Sequence, residues 1–207
     1  KANPKSDQES RTFQISEAFI AAYRQAHPSD EIITLDLYKE MVPPLSTEEV
    51  ILNNSGTDFA HPFYDYAKQF LAVDKYVFAA PLWNLSVPGI LKNYLDRIMV
   101  VGITFHYTEE GPVGLCTGKK AVHITSRGSD YSTKPYSDFE MADRYLRALL
   151  GFLGVNEFIT IAADGLDIDG ADVRGIINRA IQEAQAKAKD FRPSLPHFGR
   201  KLPLKQE

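Results

Sequence analysis

The fold of this chain is indicated most clearly by the stretch KYVFAAPLWNLSVPGILKNYLDR, residues 75–97. Its first residues are aromatic and apolar, as in a buried strand, and the residues after Val87 repeat apolar side chains at helical spacing. A strand that leads through a loop into a helix is the unit of an α/β fold. The loop of this unit holds Trp83 and Asn84, and their presence in a turn needs a reason.

The same alternation continues on both sides of this stretch. Buried parallel strands are predicted at 31–37, 75–81, 119–128 and 157–165. Helices are predicted at 12–26, 63–73, 87–99, 137–153 and 171–190. This order predicts an open, doubly wound parallel sheet, with a ligand beyond the carboxyl ends of its strands. A central first strand would have to precede Asn3, so we expect the sequence to begin at the tail of that strand.

Composition limits the class of protein. With 207 residues, 44% hydrophobic, the chain suits one compact domain, which we place at 1–190. The net charge of −4 gives no electrostatic footprint for nucleic acid. No apolar run is long enough to cross a membrane and no secretory signal opens the chain, so we expect a cytoplasmic protein. Cys116 is the lone cysteine and the five histidines lack paired spacing, so no metal site is predicted.

Two segments interrupt the alternation. Residues 38–60 are rich in Pro, Ser and Asn, and residues 102–120 form an aromatic excursion with Gly and Pro turns. Phe105 and Tyr107 would lie unburied on the second segment, which favours a dimer contact or a cofactor wall. The alternative is an ordinary surface hairpin.

The start of the first helix carries Ser10 and Thr12. Hydroxyls and free backbone donors at a helix start can hold a phosphate. The chain lacks the G-x-G-x-x-G of dinucleotide folds, so the phosphate of flavin mononucleotide (FMN) fits better than a pyrophosphate. The alternative is that Ser10 merely caps the helix.

Two further loops follow strands and converge on the same edge of the sheet. The first holds Pro81, Leu82, Trp83, Asn84 and Leu85, and offers a flat apolar wall. The second holds Ser126, Arg127, Gly128 and Ser129, where glycine lets the main chain approach a heteroaromatic edge. The alternative for the first loop is a core tryptophan followed by a turn asparagine.

Four stretches together resemble a known family. They are PLWNLSVPGILKNYLDR (81–97), GITFHYTEEGPVGL (102–115), GKKAVHITSRG (118–128) and LGFLGV (150–155). The combination resembles the FMN-dependent NADH-azoreductases, which are flavodoxin-like relatives of the NAD(P)H quinone reductases. The resemblance implies a five-stranded, three-layer α/β/α sheet and a homodimer with FMN at its interface. It also implies two-electron, ping-pong reduction of quinones and azo compounds by NADH or NADPH.

The resemblance also assigns site residues by position. It places Asn3, Ser10, Arg11 and Thr12 at the phosphate, residues 82–85 at the flavin ring, and Ser126, Arg127, Gly128 and Ser129 at the pyrimidine end. Asn84, Tyr107 and Phe152 would line the substrate pocket. No side chain is assigned as catalytic, because the flavin carries the chemistry. Two positions depart from the family pattern. Asn3 stands where some members have serine, and Ser129 stands where many members have a second glycine.

Other functions stay open. A flavodoxin-like electron carrier or a general FMN or nitro reductase would share the fold, although the uncharged PLWNLSVPG loop differs from the acidic face of carriers. A hydrolase is disfavoured because no G-x-S-x-G elbow is present. Residues 191–207 form a basic C-terminal tail, which we interpret as a disordered end rather than a functional arm.

Overall fold

The computed structural model describes residues 1–55 and 59–192. The strands in this part of the chain are β1 (Lys75–Ala79), β2 (Phe105–Thr108), β3 (Gly111–Gly114), β4 (Lys120–Ser126) and β5 (Glu157–Ala163). The helices are α1 (Arg11–Ala26), α2 (Thr47–Ser55), α3 (Asp65–Ala72), α4 (Gly89–Ile98), α5 (Met141–Phe152) and α6 (Val173–Lys189), with short 3₁₀ turns at Pro62–Tyr64 and Tyr136–Phe139. All five predicted helices are confirmed, with ends that shift by a few residues. The predicted tail lies outside the described residues from position 193 onward.

The central sheet is parallel, with strand order β1–β4–β5. Its register pairs Lys75 with Lys120 and Lys120 with Glu157. One core packs α1 and α6 against one face, through residues such as Phe19, Ile124 and Ala184. The other core packs α3, α4 and α5 against the opposite face. The predicted three-layer, flavodoxin-like arrangement is therefore confirmed.

The predicted strand at 31–37 does not join this sheet as a hydrogen-bonded strand. The Lys1 amino group donates to Leu35 O at 2.8 Å, and Leu37 N donates to Lys1 O at 3.0 Å. Ala2 N then donates to Ala79 O at 2.9 Å. Lys1 and Ala2 therefore bridge this segment and β1, and the described parallel sheet has three hydrogen-bonded strands. A cleft of about 950 Å³ lies beside them, and none of the predicted site residues lines it.

The aromatic excursion forms a hairpin of β2 and β3. Gly114, at the end of this hairpin, packs closely against the backbone that follows α5. A Cβ atom added to Gly114 would lie 2.1 Å from the carbonyl carbon of Leu153, so only glycine fits there. Phe105 is buried in the core, so the expectation that it lies on an exposed surface is wrong, whereas Tyr107 is 68% exposed. The ring of Phe105 turns inward because it packs edge-on against Phe152, with centroids 4.9 Å apart.

Residues 38–60 contain α2, which is fixed to α4 by a partly buried ion pair. The guanidinium of Arg97 donates to both carboxylate oxygens of Glu49, at 2.7 and 2.9 Å. Its Nε donates to the Pro43 carbonyl at 3.1 Å. The hydrogen bonds from Arg97, with a smaller contribution from Ser46, lower the pKa of Glu49 against the opposing effect of its partial burial. No helix among residues 1–55 and 59–192 is long and apolar enough to cross a membrane.

Candidate functional site

The three predicted loops meet at the carboxyl ends of β1 and β4. Leu82 N donates to Ser126 O at 3.1 Å, so residues 81–85 continue alongside the end of β4. The hydroxyl oxygens of Thr12 and Ser126 lie 2.7 Å apart, which brings the start of α1 to the same point. The topology therefore assembles the predicted site around Ser126.

Ser10 caps α1, as the simpler of its two interpretations predicts. Its Oγ accepts hydrogen bonds from Phe13 N at 3.2 Å and from Asn3 Nδ2 at 3.1 Å. Both contacts use Oγ as the acceptor, so its own proton is free for a ligand. The backbone N–H groups of Arg11 and Thr12 have no partner in the part of the chain that the structure describes. The start of α1 thus offers donors, while the side chains of Ser10 and Thr12 are themselves buried.

Arg11 pairs with the loop that follows β5. Its Nη1 lies 2.8 Å from Asp167 Oδ1 and 3.4 Å from the Leu166 carbonyl. Asp167 also packs closely against the second predicted loop. A Cβ atom added to Gly128 would lie 2.6 Å from Asp167 Oδ2, which is closer than a side chain can approach. Sequence reasoning missed Asp167, although it follows the carboxyl end of β5 at the same sheet edge.

The 81–85 loop contains a tight turn. Trp83 and Ser86 exchange backbone hydrogen bonds of 2.9 and 3.0 Å. Between them, Asn84 and Leu85 have φ angles of 48° and 71°, in the left-handed region. Asn tolerates this conformation, whereas Leu adopts it at a cost of about 1–2 kcal/mol. The left-handed conformation of the turn therefore explains why an asparagine occupies position 84.

The same turn keeps two large apolar side chains at the surface. Trp83 is 39% exposed and Leu85 is 42% exposed, so the alternative of a core tryptophan is wrong. A strained turn that exposes apolar side chains at the end of a strand is typical of a ligand site.

The 126–129 loop presents backbone donors. The carbonyls of Arg127, Gly128 and Ser129 accept hydrogen bonds of 3.1, 2.9 and 3.0 Å from residues 166, 167 and 165. The N–H groups of Gly128 and Ser129 have no partner among the described residues. This edge can therefore donate to the acceptor atoms of a heteroaromatic ring.

The Arg127 guanidinium lies behind this loop. It is 7% exposed and contacts Glu140 at 3.2 Å and Asp164 at 3.4 Å. Burial raises the pKa of Asp164, an effect that Arg127 partly offsets. Arg127 Nε is buried and has no hydrogen-bond partner in the described structure, and the same is true of Thr125 Oγ1. Two buried polar atoms next to the predicted pyrimidine edge thus have unused hydrogen-bonding capacity.

The predicted substrate pocket is not assembled within one chain. Tyr107 and Phe152 pack around Phe105 and expose their rings, at the end of α5. Asn84 lies at the start of α5, because Met141 N donates to the carbonyl of the neighbouring Leu85 at 2.9 Å. The eleven-residue separation along α5 corresponds to about 16 Å. The structure therefore does not bring Asn84 together with the two aromatic residues.

A buried polar network near the site was not predicted. His123 is fully buried, with Nδ1 3.1 Å from Asp143 Oδ1 and Nε2 3.3 Å from the Ala80 carbonyl. Burial alone would raise the pKa of Asp143, but hydrogen bonds from His123, Thr160 and Arg147 outweigh it and hold that pKa below its usual range. In the sequence, His123 is a titratable residue that stands between the apolar Val122 and Ile124 of a strand, and this was the available signal.

Comparison with known proteins identifies the family of this chain. A profile of the flavodoxin-like fold matches residues 1–188. The chain is 58% identical over 194 residues to an FMN-dependent NADH:quinone oxidoreductase of Caldicellulosiruptor saccharolyticus, covering 92% of this chain and 96% of the relative. The chain belongs to the flavodoxin-like family of FMN-dependent NADH:quinone oxidoreductases. It is also 55% identical to FMN-dependent NADH:quinone oxidoreductase 2 of Clostridium acetobutylicum, over 92% of this chain and 96% of the other.

Solved structures of this family superpose on the chain. An azoreductase from Bacillus anthracis str. Sterne shares 35% identity with a TM-score of 0.83, covering 92% of this chain and 96% of the other. An FMN-dependent NADH-azoreductase from Bacillus anthracis str. Ames Ancestor, solved in complex with FMN, shares 28% identity with a TM-score of 0.83, covering 91% and 95%. The family resemblance stated from the sequence is confirmed.

The residues at the sheet edge fit FMN. Within the part of the chain that the structure describes, the start of α1 has backbone donors without a partner for a dianionic phosphate, and residues 126–129 have such donors for the polar edge of the ring. Trp83 and Leu85 supply exposed apolar surface. The donor set and the apolar turn thus match the two chemically different halves of this cofactor.

Proposed function

We propose that this chain is an FMN-dependent oxidoreductase that uses NADH or NADPH to reduce quinones and azo compounds. The observation that carries the proposal is the sheet edge at Ser126, where an exposed apolar turn meets two segments whose backbone N–H groups have no partner among the described residues. The domain at 1–190 would carry the whole activity. We place the enzyme in the cytoplasm, where its buried free thiol, Cys116, would stay reduced.

Each segment has a distinct task in this proposal. The N–H groups of Arg11 and Thr12 and the Ser10 hydroxyl hold the phosphate, while the Arg11–Asp167 pair fixes the start of α1. The turn at 83–86 provides an apolar wall that excludes water from one side of the ring.

The chemistry that FMN supplies when bound is two-electron hydride transfer. The N–H groups of Gly128 and Ser129 are placed to stabilise negative charge at the pyrimidine edge. No side chain is assigned as a general acid or base. One pocket beside the turn would receive the nicotinamide and the oxidant in turn.

The absorbance spectrum of the purified protein tests the cofactor. We expect a yellow protein whose released chromophore is FMN, and NADH oxidation that depends on an added quinone. A colourless protein that takes up no FMN would contradict the proposal. Initial rates at several quinone concentrations should give parallel double-reciprocal lines, because the two substrates exclude each other. Intersecting lines would indicate a separate nicotinamide site.

Two other functions are separated by turnover. A flavodoxin-like electron carrier would bind FMN and oxidise NADH negligibly with a quinone. A general FMN or nitro reductase would reduce free FMN or nitroaromatic compounds faster than quinones or azo dyes at equal concentration. The uncharged turn at 83–86 favours the enzyme over the carrier.

We propose a homodimer with FMN at its interface. Along α5, the apolar residues Met141 and Phe152 are exposed, and Tyr107 extends this surface beyond the helix end. A second copy running in the opposite direction along α5 would bring Tyr107 and Phe152 of one subunit toward Asn84 of the other. The separation of about 16 Å within one chain supports this arrangement. The pocket would then be completed across the interface.

A further inference from the structure

The first turn of α5 contacts both loops of the candidate site. Glu140 is the N-cap residue of α5, and both of its carboxylate oxygens lie 3.1 Å from Asp143 N. The next residue, Met141, donates its N–H to the Leu85 carbonyl at 2.9 Å. The strained end of the 81–85 loop is therefore tied to the helix start.

The second loop is tied to the same turn through charge. Glu140 Oε1 lies 3.2 Å from Arg127 Nη2, and both side chains are less than one-tenth exposed. A buried carboxylate with such a partner is costly to remove, because the guanidinium is then left partly uncompensated. Asp164, on the other side of Arg127, is 3.4 Å away and more weakly placed to replace it.

A third contact reaches the beginning of the 81–85 loop. Asp143, whose N–H is capped by Glu140, contacts His123 at 3.1 Å. His123 in turn contacts the Ala80 carbonyl at 3.3 Å, immediately before Pro81. The 81–85 loop is thus held at both ends from the first turn of α5.

We propose that Glu140 is a positioning residue for the cofactor, acting through Arg127 on the 126–129 loop and through the first turn of α5 on the 81–85 loop. This inference rests on the proposed function, since the cofactor it concerns is FMN. Glu140 does not itself belong to either loop. Its carboxylate fixes the relative position of the apolar turn and the donor edge, which must face the same ring.

Amide hydrogen exchange of the protein freed of FMN tests whether Glu140 couples the 81–85 loop to the 126–129 loop. The variant is Glu140→Ala, and the matched control is Asp172→Ala, which removes the N-cap of α6, where Asp172 accepts from Gly175 N at 2.9 Å. We expect faster exchange of the hydrogen-bonded amides in both loops, those of Leu82, Trp83 and Ser86 and that of Arg127, for the Glu140 variant alone. Unchanged exchange at either loop, or equal loosening in the control, would overturn the proposal.

Calorimetric titration with FMN tests the consequence for the cofactor. Glu140→Ala should bind FMN about tenfold or more weakly, as is found when outer-shell partners of a site are removed. Glu140→Gln keeps an oxygen for the cap and loses the charge, so its affinity should lie in between and its fold should be retained. In an Arg127→Met background, Glu140→Gln should weaken binding much less than it does alone. Additive effects would contradict the route through Arg127.

These experiments distinguish failure of the proposed function from failure of the positioning role of Glu140. If the unmodified protein binds no FMN, the proposed function is wrong, and hydrogen exchange still decides whether Glu140 couples the loops. If the protein binds FMN and the Glu140 variants bind it equally well, the positioning role is wrong and the proposed function stands.

Discussion

The hydroxyls of Thr12 and Ser126 form a 2.7 Å hydrogen bond that joins the start of α1 to the end of β4. This is the point at which the proposed phosphate segment meets the proposed pyrimidine edge. Because α1 and β4 are distant in sequence, the bond fixes the distance between the two parts of the site.

The Thr12→Val variant tests this bond. Valine keeps the shape of threonine and removes the hydroxyl, so we expect the free energy of unfolding to fall by about 1 kcal/mol and FMN to bind more weakly. Urea denaturation and FMN titration measure the two effects. Thr125→Val is the control, because Thr125 Oγ1 has no partner among the described residues and its removal should leave the stability of the FMN-free protein unchanged or raise it. Equal FMN affinity in Thr12→Val would show that the Thr12–Ser126 bond does not position the two parts of the site for the cofactor.

The turn at 83–86 makes a prediction about strain. Leu85 has a φ of 71°, so Leu85→Gly should raise the free energy of unfolding by up to about 1 kcal/mol while weakening FMN binding, since the apolar wall is lost. Leu85→Ala removes the side chain and keeps the strain, so it should weaken binding without the gain in stability. Thermal unfolding of the FMN-free proteins compares them. A glycine variant less stable than the alanine variant would show that the turn is not strained.

The proposed dimer can be tested at Tyr107. A charge at this exposed position, in Tyr107→Asp, should shift the protein toward monomers and raise the quinone KM, because an apolar contact becomes a desolvated charge. Sedimentation velocity measures the assembly state. The control is Met41→Asp, at a position that is 77% exposed and lies outside α5 and the hairpin. A Tyr107→Asp protein that remains dimeric with an unchanged KM would reject this interface.

Asp143 predicts how stability depends on pH. Its pKa is lowered in the folded protein, since hydrogen bonds from His123, Thr160 and Arg147 outweigh the opposing effect of burial. The Asp143 carboxylate therefore makes its full contribution to the free energy of unfolding above the pKa that Asp143 has in the unfolded chain. This contribution is lost as the pH falls toward the lower pKa of the folded protein. Asp143→Asn should be less stable than the unmodified protein near neutral pH, with a difference that narrows between about pH 5 and pH 2. A difference that stays constant over this range would contradict the assignment.

The sequence was sufficient to predict that the loops of the candidate site meet at one edge of the sheet. Strand patterns at 75–81 and 119–128 fix two carboxyl ends, and parallel topology places the loops after them side by side. Asn84 could be explained locally, because a two-residue turn needs the left-handed conformation that asparagine tolerates. The pattern at 31–37 is equally strand-like, but a strand becomes part of a sheet through its neighbours, and among the described residues this segment bonds to Lys1 and not to another strand.

The supporting residues could not be predicted in the same way. Glu140 and Asp167 act through partners that are distant in sequence, at Arg127 and Arg11, and the sign of a charge does not indicate which distant group it meets. Phe105 was expected at the surface because hairpin position alone does not show which ring turns inward. Tyr107 was assigned to the same pocket as Asn84 from family positions, which do not say whether the residues come from one subunit or two.

The exposed position of Trp83 also gives the protein a built-in optical probe. It is the single tryptophan of the chain, and it lies in the turn proposed to contact the flavin ring. Indole emission overlaps flavin absorption, so the intrinsic fluorescence of the protein should be quenched as FMN binds and recover as it leaves. Occupancy of this site can therefore be followed in real time on the unmodified chain, without a label or a reporter substrate.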